Sequence, residues 1–184
     1  MKTLHLGLER DIWFTSDLHL GHNNIIQYAN RPFTSTESMD KTIIDNWNSV
    51  VDDKDIVFIL GDFTMLGTKS WVYYLSKLKG VKYLIIGNHD KSIPKSMLAE
   101  ATPLKNIMVG EQRITLCHYP MLSWYQSHRD SWQLFGHVHS GPNTFTMDRI
   151  SPRQYDVGVD NNNFTPISFN QLKNIIDGKN ITMA

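Results

Sequence analysis

The chain has one cysteine, Cys117. An intramolecular disulfide is excluded, and so is a structural zinc site built on several thiolates. Cys117 closes the apolar run Ile114-Thr115-Leu116-Cys117, where packing is its expected role, and a reducing cytoplasmic setting fits. An excess of either charge is also missing. Lysine and arginine total 18, as do aspartate and glutamate, so no overall field draws the protein to nucleic acid or to an anionic membrane, and any site for a polyanion has to be local. Long apolar runs are absent as well. None approaches the roughly 20 residues of a membrane span, and Glu9, Arg10 and Asp11 interrupt the N-terminal segment too early for a signal-peptide core. Repeats, low-complexity tracts and evident linkers are lacking too. With 184 residues, 41% of them hydrophobic, one globular domain spanning residues 1–184 is expected.

What the chain does have is a repeated design, an apolar run that ends in ligand-type side chains. Val81-Lys82-Tyr83-Leu84-Ile85-Ile86 leads into Gly87-Asn88-His89-Asp90. Ile12-Trp13-Phe14-Thr15-Ser16 leads into Asp17-Leu18-His19, and Ile56-Val57-Phe58-Ile59-Leu60 into Gly61-Asp62. The run at 114–117 ends in His118, and Gln133-Leu134-Phe135 leads into Gly136-His137-Val138-His139. Such runs read as buried strands, and the C-terminal strand ends of an open α/β sheet are where ligands usually bind. In Asp17-x-His19 and His137-x-His139 an extended backbone would send both side chains of a pair to one face.

Between these blocks lie helical patterns. Thr34-Ser35-Thr36-Glu37 has the form of a capping box, followed at helical spacing by Met39, Ile43, Trp47 and Val50, so a helix over about 35–51 is predicted with Trp47 in the core. Trp71, Tyr74, Leu75 and Leu78 mark a second helix that stops at Gly80. Pro94 suits the start of a short helix through Met97-Leu98-Ala99, and Pro103 a break. Residues 107–117 suggest a hairpin with Gly110-Glu111 in its turn, and Tyr119–Asp130 a loop walling the pocket, with His128 at the surface. Ser140-Gly141-Pro142-Asn143 is a turn signal, the runs around 144–146 and 155–159 look like strands, and Ser168-Phe169-Asn170-Gln171 caps a last helix through Leu172, Ile175 and Ile176. Strand, helix, strand is a parallel crossover unit, and the alternation gives a layered α/β class.

The five blocks in this order, D-x-H, G-D, G-N-H-D, H and G-H-x-H, resemble the signature of the calcineurin-like metallophosphoesterase superfamily. They run from Asp17 to His139, about two thirds of the chain. The resemblance implies a four-layer α-β-β-α sandwich around two central sheets. It implies two divalent ions, one bound by Asp17, His19, Asp62 and His139 and the other by Asn88, His118, His137 and a bridging Asp62. The mixed carboxylate, amide and imidazole donors suit Mn, Fe, Co, Ni or Zn, with Mn the first choice. Two such ions carry more charge than Asp17 and Asp62 return, which leaves a cationic cavity for a phosphate in a neutral protein. Hydrolysis of a phosphate ester by a hydroxide activated between the two ions follows from the resemblance. His89 is then left to face the substrate, stabilising the transferring group or protonating the leaving oxygen, and Asp90 either orients His89 or caps the turn.

His22, Asn23 and Arg31 border the first ligand block in sequence. Each is a candidate substrate contact, Arg31 as a bidentate phosphate clamp, and each has a plain alternative as a solvated loop residue. Departures from the superfamily narrow the substrate. Where its protein Ser/Thr phosphatases carry G-D-x-x-D-R-G, this chain has Gly61-Asp62-Phe63-Thr64-Met65-Leu66-Gly67, so their arginine is missing. No basic amphipathic segment supports a membrane lipid substrate. The set is most similar to small bacterial or phage-type phosphoesterases. The first expectation is a soluble hydrolase of a small phosphomonoester or phosphodiester, such as a nucleotide. The alternative is a nuclease or nucleic-acid end-processing phosphatase, which needs a basic track with stacking aromatics; Arg129 near Trp124 and Trp132, with Arg149 and Arg153, is the candidate. A non-catalytic scaffold should have lost ligands, and none is lost.

Overall fold

The computed structural model describes residues 2–139 and 151–182. The expected turn at 140–143, the run at 144–146 and Arg149 lie outside the described residues. In chain order the elements are β1 (Leu4–Leu6), β2 (Ile12–Thr15), α1 (Ile25–Tyr28), α2 (Thr36–Val50), β3 (Ile56–Ile59), α3 (Thr68–Leu75), β4 (Val81–Ile85), β5 (Glu100–Thr102), β6 (Leu104–Val109), β7 (Gln112–Cys117), β8 (Trp132–Phe135), β9 (Gln154–Asp156), β10 (Ile167–Ser168) and α4 (Phe169–Thr182). They build two five-stranded sheets, ordered β10-β2-β3-β4-β5 and β1-β6-β7-β8-β9.

Parallel pairing dominates both sheets. In the first, β2, β3, β4 and β5 are parallel and β10 is antiparallel to β2. In the second, β7, β8 and β9 are parallel, and β6 and β7 form the expected hairpin, in which Val109 faces Gln112 across the Gly110-Glu111 turn. All the runs that end in ligand-type residues are therefore strands whose C-terminal ends reach a common rim. Beyond the strands the rim is laced by backbone hydrogen bonds: Asp17 N–H to Gly61 O, His19 N–H to Asp62 O, and Val159 N–H to Ser16 O, the last joining one sheet to the other.

The sheets face each other across a core that includes Phe14, Phe58, Leu60, Ile85, Ile114, Leu116, Trp132 and Leu134. A second core lies on the other side of the first sheet, where Met39, Ile43 and Trp47 of α2 and Trp71 and Leu75 of α3 cover Val57, Ile59 and Leu84. Trp47 is fully buried, and its indole N–H donates to the Lys79 carbonyl. The remaining helix, α4, packs across β10 and β2 of one sheet and β9 of the other. The architecture is a mixed α/β fold of two facing, mainly parallel sheets, as the resemblance implied. Among the described residues no helix is long and apolar enough to cross a membrane.

Several local expectations shift. The N-cap of α2 is Ser35, whose hydroxyl accepts from Ser38 N–H, one residue later than the Thr34 box. The box before α4 forms in full: Ser168 Oγ accepts from Gln171 N–H, and Gln171 Oε1 accepts from Ser168 N–H. Residues 95–97 make one 3₁₀ turn and the chain is extended from Leu98 onwards, because Ala99 N–H bonds the Lys82 carbonyl and residues 100–102 pair with β4 as β5, which takes up the backbone that a helix would need. The loop after His118 brings only its first residue to the rim. Tyr125 and Gln126 instead line a separate hollow of about 250 Å³ with His5, Asn106 and Arg113.

Candidate metal centre

The ligand-type residues do not leave their strands in extended form. Asp17 (φ 57°), His19 (50°), Asp62 (54°), His137 (72°) and His139 (47°) all lie in the left-handed region. They are five of the eleven non-glycine residues found there among the described residues. The pairs at 17/19 and 137/139 therefore converge through successive kinks rather than through the period-two geometry of a strand. Left-handed backbone costs roughly 1–2 kcal/mol per residue, and its concentration at one rim marks a place where function constrains the backbone.

Glycines let the strand ends close up. A Cβ on Gly136 would stand 2.0 Å from Ser16 Oγ and 2.3 Å from Asp17 Oδ2, and one on Gly87 would stand 2.4 Å from Asp62 Oδ1. The close approach needs a residue without a side chain at both positions.

Two groups of ligand atoms result, Asp17, His19 and His139 in one and Asp62, His118 and His137 in the other, with the atoms of each group within 4.8 Å of one another. Asp62 Oδ2 lies between them, 3.6 Å from His19 Nε2 and 3.5 Å from His118 Nε2. Asn88 Oδ1 stands 2.9 Å from His118 Nε2 and 3.0 Å from His137 Nδ1, so the amide belongs to the second group. His89 is the more open ring. Its Nε2 is 4.0 Å from Asp62 Oδ2, its side chain is 40% exposed, and its backbone N–H donates to Asp62 Oδ1.

The donor set fits divalent cations. Asp17 Oδ1 and both ring nitrogens of His19 are buried without a hydrogen-bond partner, whereas buried polar atoms are nearly always paired. Burial holds the His19 imidazole down at about 3, so its ring is neutral, as a ligand must be. Burial pushes the Asp17 carboxyl up to about 7. Burial also opposes ionisation of Asp62, but His118 and His19 outweigh it and hold that carboxyl at about 2. For His118 and His139, burial lowers the pKa and the neighbouring carboxylates more than reverse it, so both are raised.

Surrounding groups orient the ligands. His118 Nδ1 lies 2.7 Å from the Leu60 carbonyl and His139 Nδ1 lies 2.8 Å from Asp160 Oδ2, which turns each Nε2 towards the cluster. Asp90 Oδ2 accepts from the backbone N–H groups of Asp62 and Gly87, and Oδ1 accepts from Phe63 N–H. Its carboxylate pins the Asp62 loop to the Gly87 turn, so an orienting contact with the His89 ring is corrected to a turn-binding role.

Arg31 also takes a different place from the one expected. It is 5% exposed. All five N–H donors have partners: Nε and Nη2 reach Asp160, Nη2 the Asp17 carbonyl, and Nη1 the Leu18 carbonyl and Met39 Sδ. No donor is left for a phosphate, so the clamp expected of it is corrected to a brace beneath the ligand loop. His22 does stand at the cluster, its ring centroid 5.5 Å from that of His19. Asn23 is exposed and accepts from the Thr36 hydroxyl. The sequence reading missed Asp160 and Tyr119. Asp160 shares the strand-then-carboxylate design, one turn beyond β9. Tyr119 is 44% exposed, its ring packs edge-on to His137 at 4.6 Å, and its hydroxyl is 3.4 Å from Asn88 Oδ1; its position directly after His118 was the available signal.

Comparison with known families matches residues 10–159 to the calcineurin-like phosphoesterases. An uncharacterized protein of Methanocaldococcus jannaschii is 35% identical over 171 residues, covering 91% of this chain and 92% of the relative. The Gene 66 protein of Mycobacterium phage L5 is 30% identical over 178 residues, covering 80% and 86%. Among solved structures, a protein of unknown function from Aquifex aeolicus superposes with a TM-score of 0.71 at 26% identity, covering 91% of this chain and all of that one.

Proposed function

Because the chain belongs to the calcineurin-like phosphoesterase family, a family of metal-dependent phosphoester hydrolases, we propose that it hydrolyses a small soluble phosphomonoester or phosphodiester, such as a nucleotide, at a two-ion centre. The observation that carries this reading is the position of Asp62 Oδ2, 3.6 Å from a nitrogen of one ligand group and 3.5 Å from a nitrogen of the other. Asp17, His19 and His139 with Asp62 would hold one ion, and Asn88, His118 and His137 with Asp62 the other. Mn²⁺ is our first choice for this oxygen and nitrogen donor set. Bound there, the ions supply Lewis acidity towards phosphoryl oxygens and acidify water so that a nucleophile exists at neutral pH.

The chain's own residues do the rest. Asp62 sets the spacing of the two groups, and Asp90 fixes Asp62 through backbone N–H groups. His89 Nε2 presents a proton donor to the leaving oxygen, and His22, beside His19 at the rim, presents a second imidazole to the substrate. The fate of the candidate nucleic-acid track favours a small substrate: Trp132 is in the core and Arg153 pairs with Asp130. Arg129 is exposed, and of its two expected aromatics only Trp124 stays outside the core, half-buried with its indole N–H donating to the Ser131 carbonyl.

The test is to strip the protein with a chelator, restore it with Mn²⁺, and assay nucleotides, cyclic nucleotides, sugar phosphates and oligonucleotides. Activity should vanish and return, and Asp62→Asn should lower the content of both ions per chain. Full activity in metal-free protein would overturn the reading. Oligonucleotides as best substrates, with a KM that rises tenfold or more between low and physiological salt, would move it to the nucleic-acid alternative.

A further inference from the structure

Arg31 and Asp160 are 129 residues apart and form a bidentate pair, with Nε to Oδ1 at 2.8 Å and Nη2 to Oδ2 at 2.9 Å. The arginine side chain is fully enclosed and that of the aspartate nearly so. A buried ion pair of this kind is poor evidence for stability, since well-packed apolar residues often serve as well, but it does fix geometry. What it fixes here is one-sided. Nη2 donates to the Asp17 carbonyl at 2.6 Å and Nη1 to the Leu18 carbonyl at 3.0 Å, which holds the kinked backbone of the first ligand block. Asp160 Oδ2 lies 2.8 Å from His139 Nδ1 and sets the orientation of that ring. The brace thus reaches Asp17 and His139, two members of one ligand group. In the second group the His118 ring is oriented by the Leu60 carbonyl and Asp62 by Asp90, and the link back to the first is a backbone one, the His137 N–H donating to Asp17 Oδ2 at 2.9 Å, which leaves the His137 ring outside the brace.

We propose that Arg31 and Asp160 are positioning residues for the Asp17, His19 and His139 group alone, so that the affinities of the two ion sites are set by separate parts of the fold. This rests on the two-ion reading above. Asp160 acts through the His139 ring and Arg31 through two backbone carbonyls, and neither touches the substrate. The placement of Phe164, whose ring centroid is 5.7 Å from Arg31 Cζ, closes the brace off from water on one side.

Titration of metal-free protein with Mn²⁺ by calorimetry, together with the melting temperature of the metal-free form, separates this from a merely structural role. Wild type should bind two ions. Asp160→Asn should weaken one of them by about 10- to 100-fold and leave the other within about threefold. Combined with His139→Ala, Asp160→Asn should add little further loss, because both act on the same ligand; combined with His137→Ala its effect should persist. Equal weakening of both ions, no weakening of either, or additive losses with His139→Ala would overturn the proposal. If Asp160→Asn fails to fold, as an unpaired buried guanidinium can cause, the double variant Arg31→Met, Asp160→Asn removes both charges and is read by the split between the ions alone: one weakened, the other within about threefold, with equal weakening of both or of neither overturning the proposal. The His139→Ala comparison does not apply to it, because Arg31 acts through the Asp17 and Leu18 carbonyls. A wild type that binds a single ion would sink the two-ion reading instead, and the His139 cycle on that ion would still decide whether the brace acts through His139.

Discussion

Asn88 and His89 are neighbours in one turn with opposite fates. The amide oxygen is within 3.0 Å of two imidazoles of the second ligand group, while the His89 ring stays 40% exposed, its Nε2 4.0 Å from Asp62 Oδ2. His89→Ala should therefore keep both ions by elemental analysis and lose catalysis. With an alkyl phosphate kcat should fall by roughly 10²–10⁴, equivalent to about 3–5 kcal/mol of transition-state stabilisation. A nitrophenyl ester, whose leaving oxygen needs little protonation, should suffer less. Equal losses on both would shift the role of His89 to stabilising the phosphoryl oxygens, and loss of ions would make it a ligand. Residues of this kind were legible because their types and order are chemical statements that need no fold. The pairing of Arg31 with Asp160 was not, because Arg31 reads locally as a phosphate clamp or a solvated loop residue and Asp160 as one member of the polar run Asp160-Asn161-Asn162-Asn163. Only the closed fold brings together groups 129 positions apart.

At the scale of elements, the buried runs that became β2, β3, β4, β7 and β8 were readable from hydrophobicity, as were α2 and α4 from period and caps. The strands β1, β5 and β10 were not, since two or three residues carry no period and owe their pairing to a neighbour already in place. Nor was the backbone at the ligand positions legible. Extended geometry was the natural reading of a D-x-H spacing, and tertiary contacts overrode it with left-handed kinks. The glycines at these ends are the element-scale counterpart of the kinks. Gly136→Ala would drive a methyl group to about 2 Å from Ser16 Oγ and Asp17 Oδ2, and Ser16 is itself held by the Leu60 carbonyl. The two sheets would have to part at the rim. The expected outcome is a melting temperature lower by several degrees and weakened binding at the Asp17 group, measured by scanning calorimetry and Mn²⁺ titration. A variant with wild-type melting temperature and ion affinity would show that the strand ends have slack they do not display here.

The whole molecule couples folding, protons and ions through the same cluster. In the metal-free protein the Asp17 carboxyl is raised by burial to about 7 from 3.8, and His118 and His139, lowered by burial but raised more by their carboxylate neighbours, end above 6.5. A group whose folded pKa is raised contributes stability that is complete below its unfolded pKa and is lost as pH rises through the folded value. These three therefore act in one direction above pH 6.5. His19, depressed by burial to about 3, has the opposite sign, but its contribution is complete above 6.5 and is lost only as pH falls. Metal-free protein should accordingly lose stability as pH rises from about 6.5 through 7. The sign reverses once ions are present, because ligation needs Asp17 ionised and the imidazoles neutral, so binding releases protons and tightens with pH. At an ion concentration a hundred times the dissociation constant the added stability is about 2.7 kcal/mol per site, worth roughly 5–10 °C in a chain of this length. Melting scans at pH 6, 7 and 8, with and without Mn²⁺, should show the metal-free transition falling and the metal-induced increment growing across the series. Asp17→Asn should flatten the metal-free trend, since the amide cannot titrate. A metal-induced increment that shrinks from pH 6 to pH 8 would mean that the ions bind somewhere other than this buried cluster.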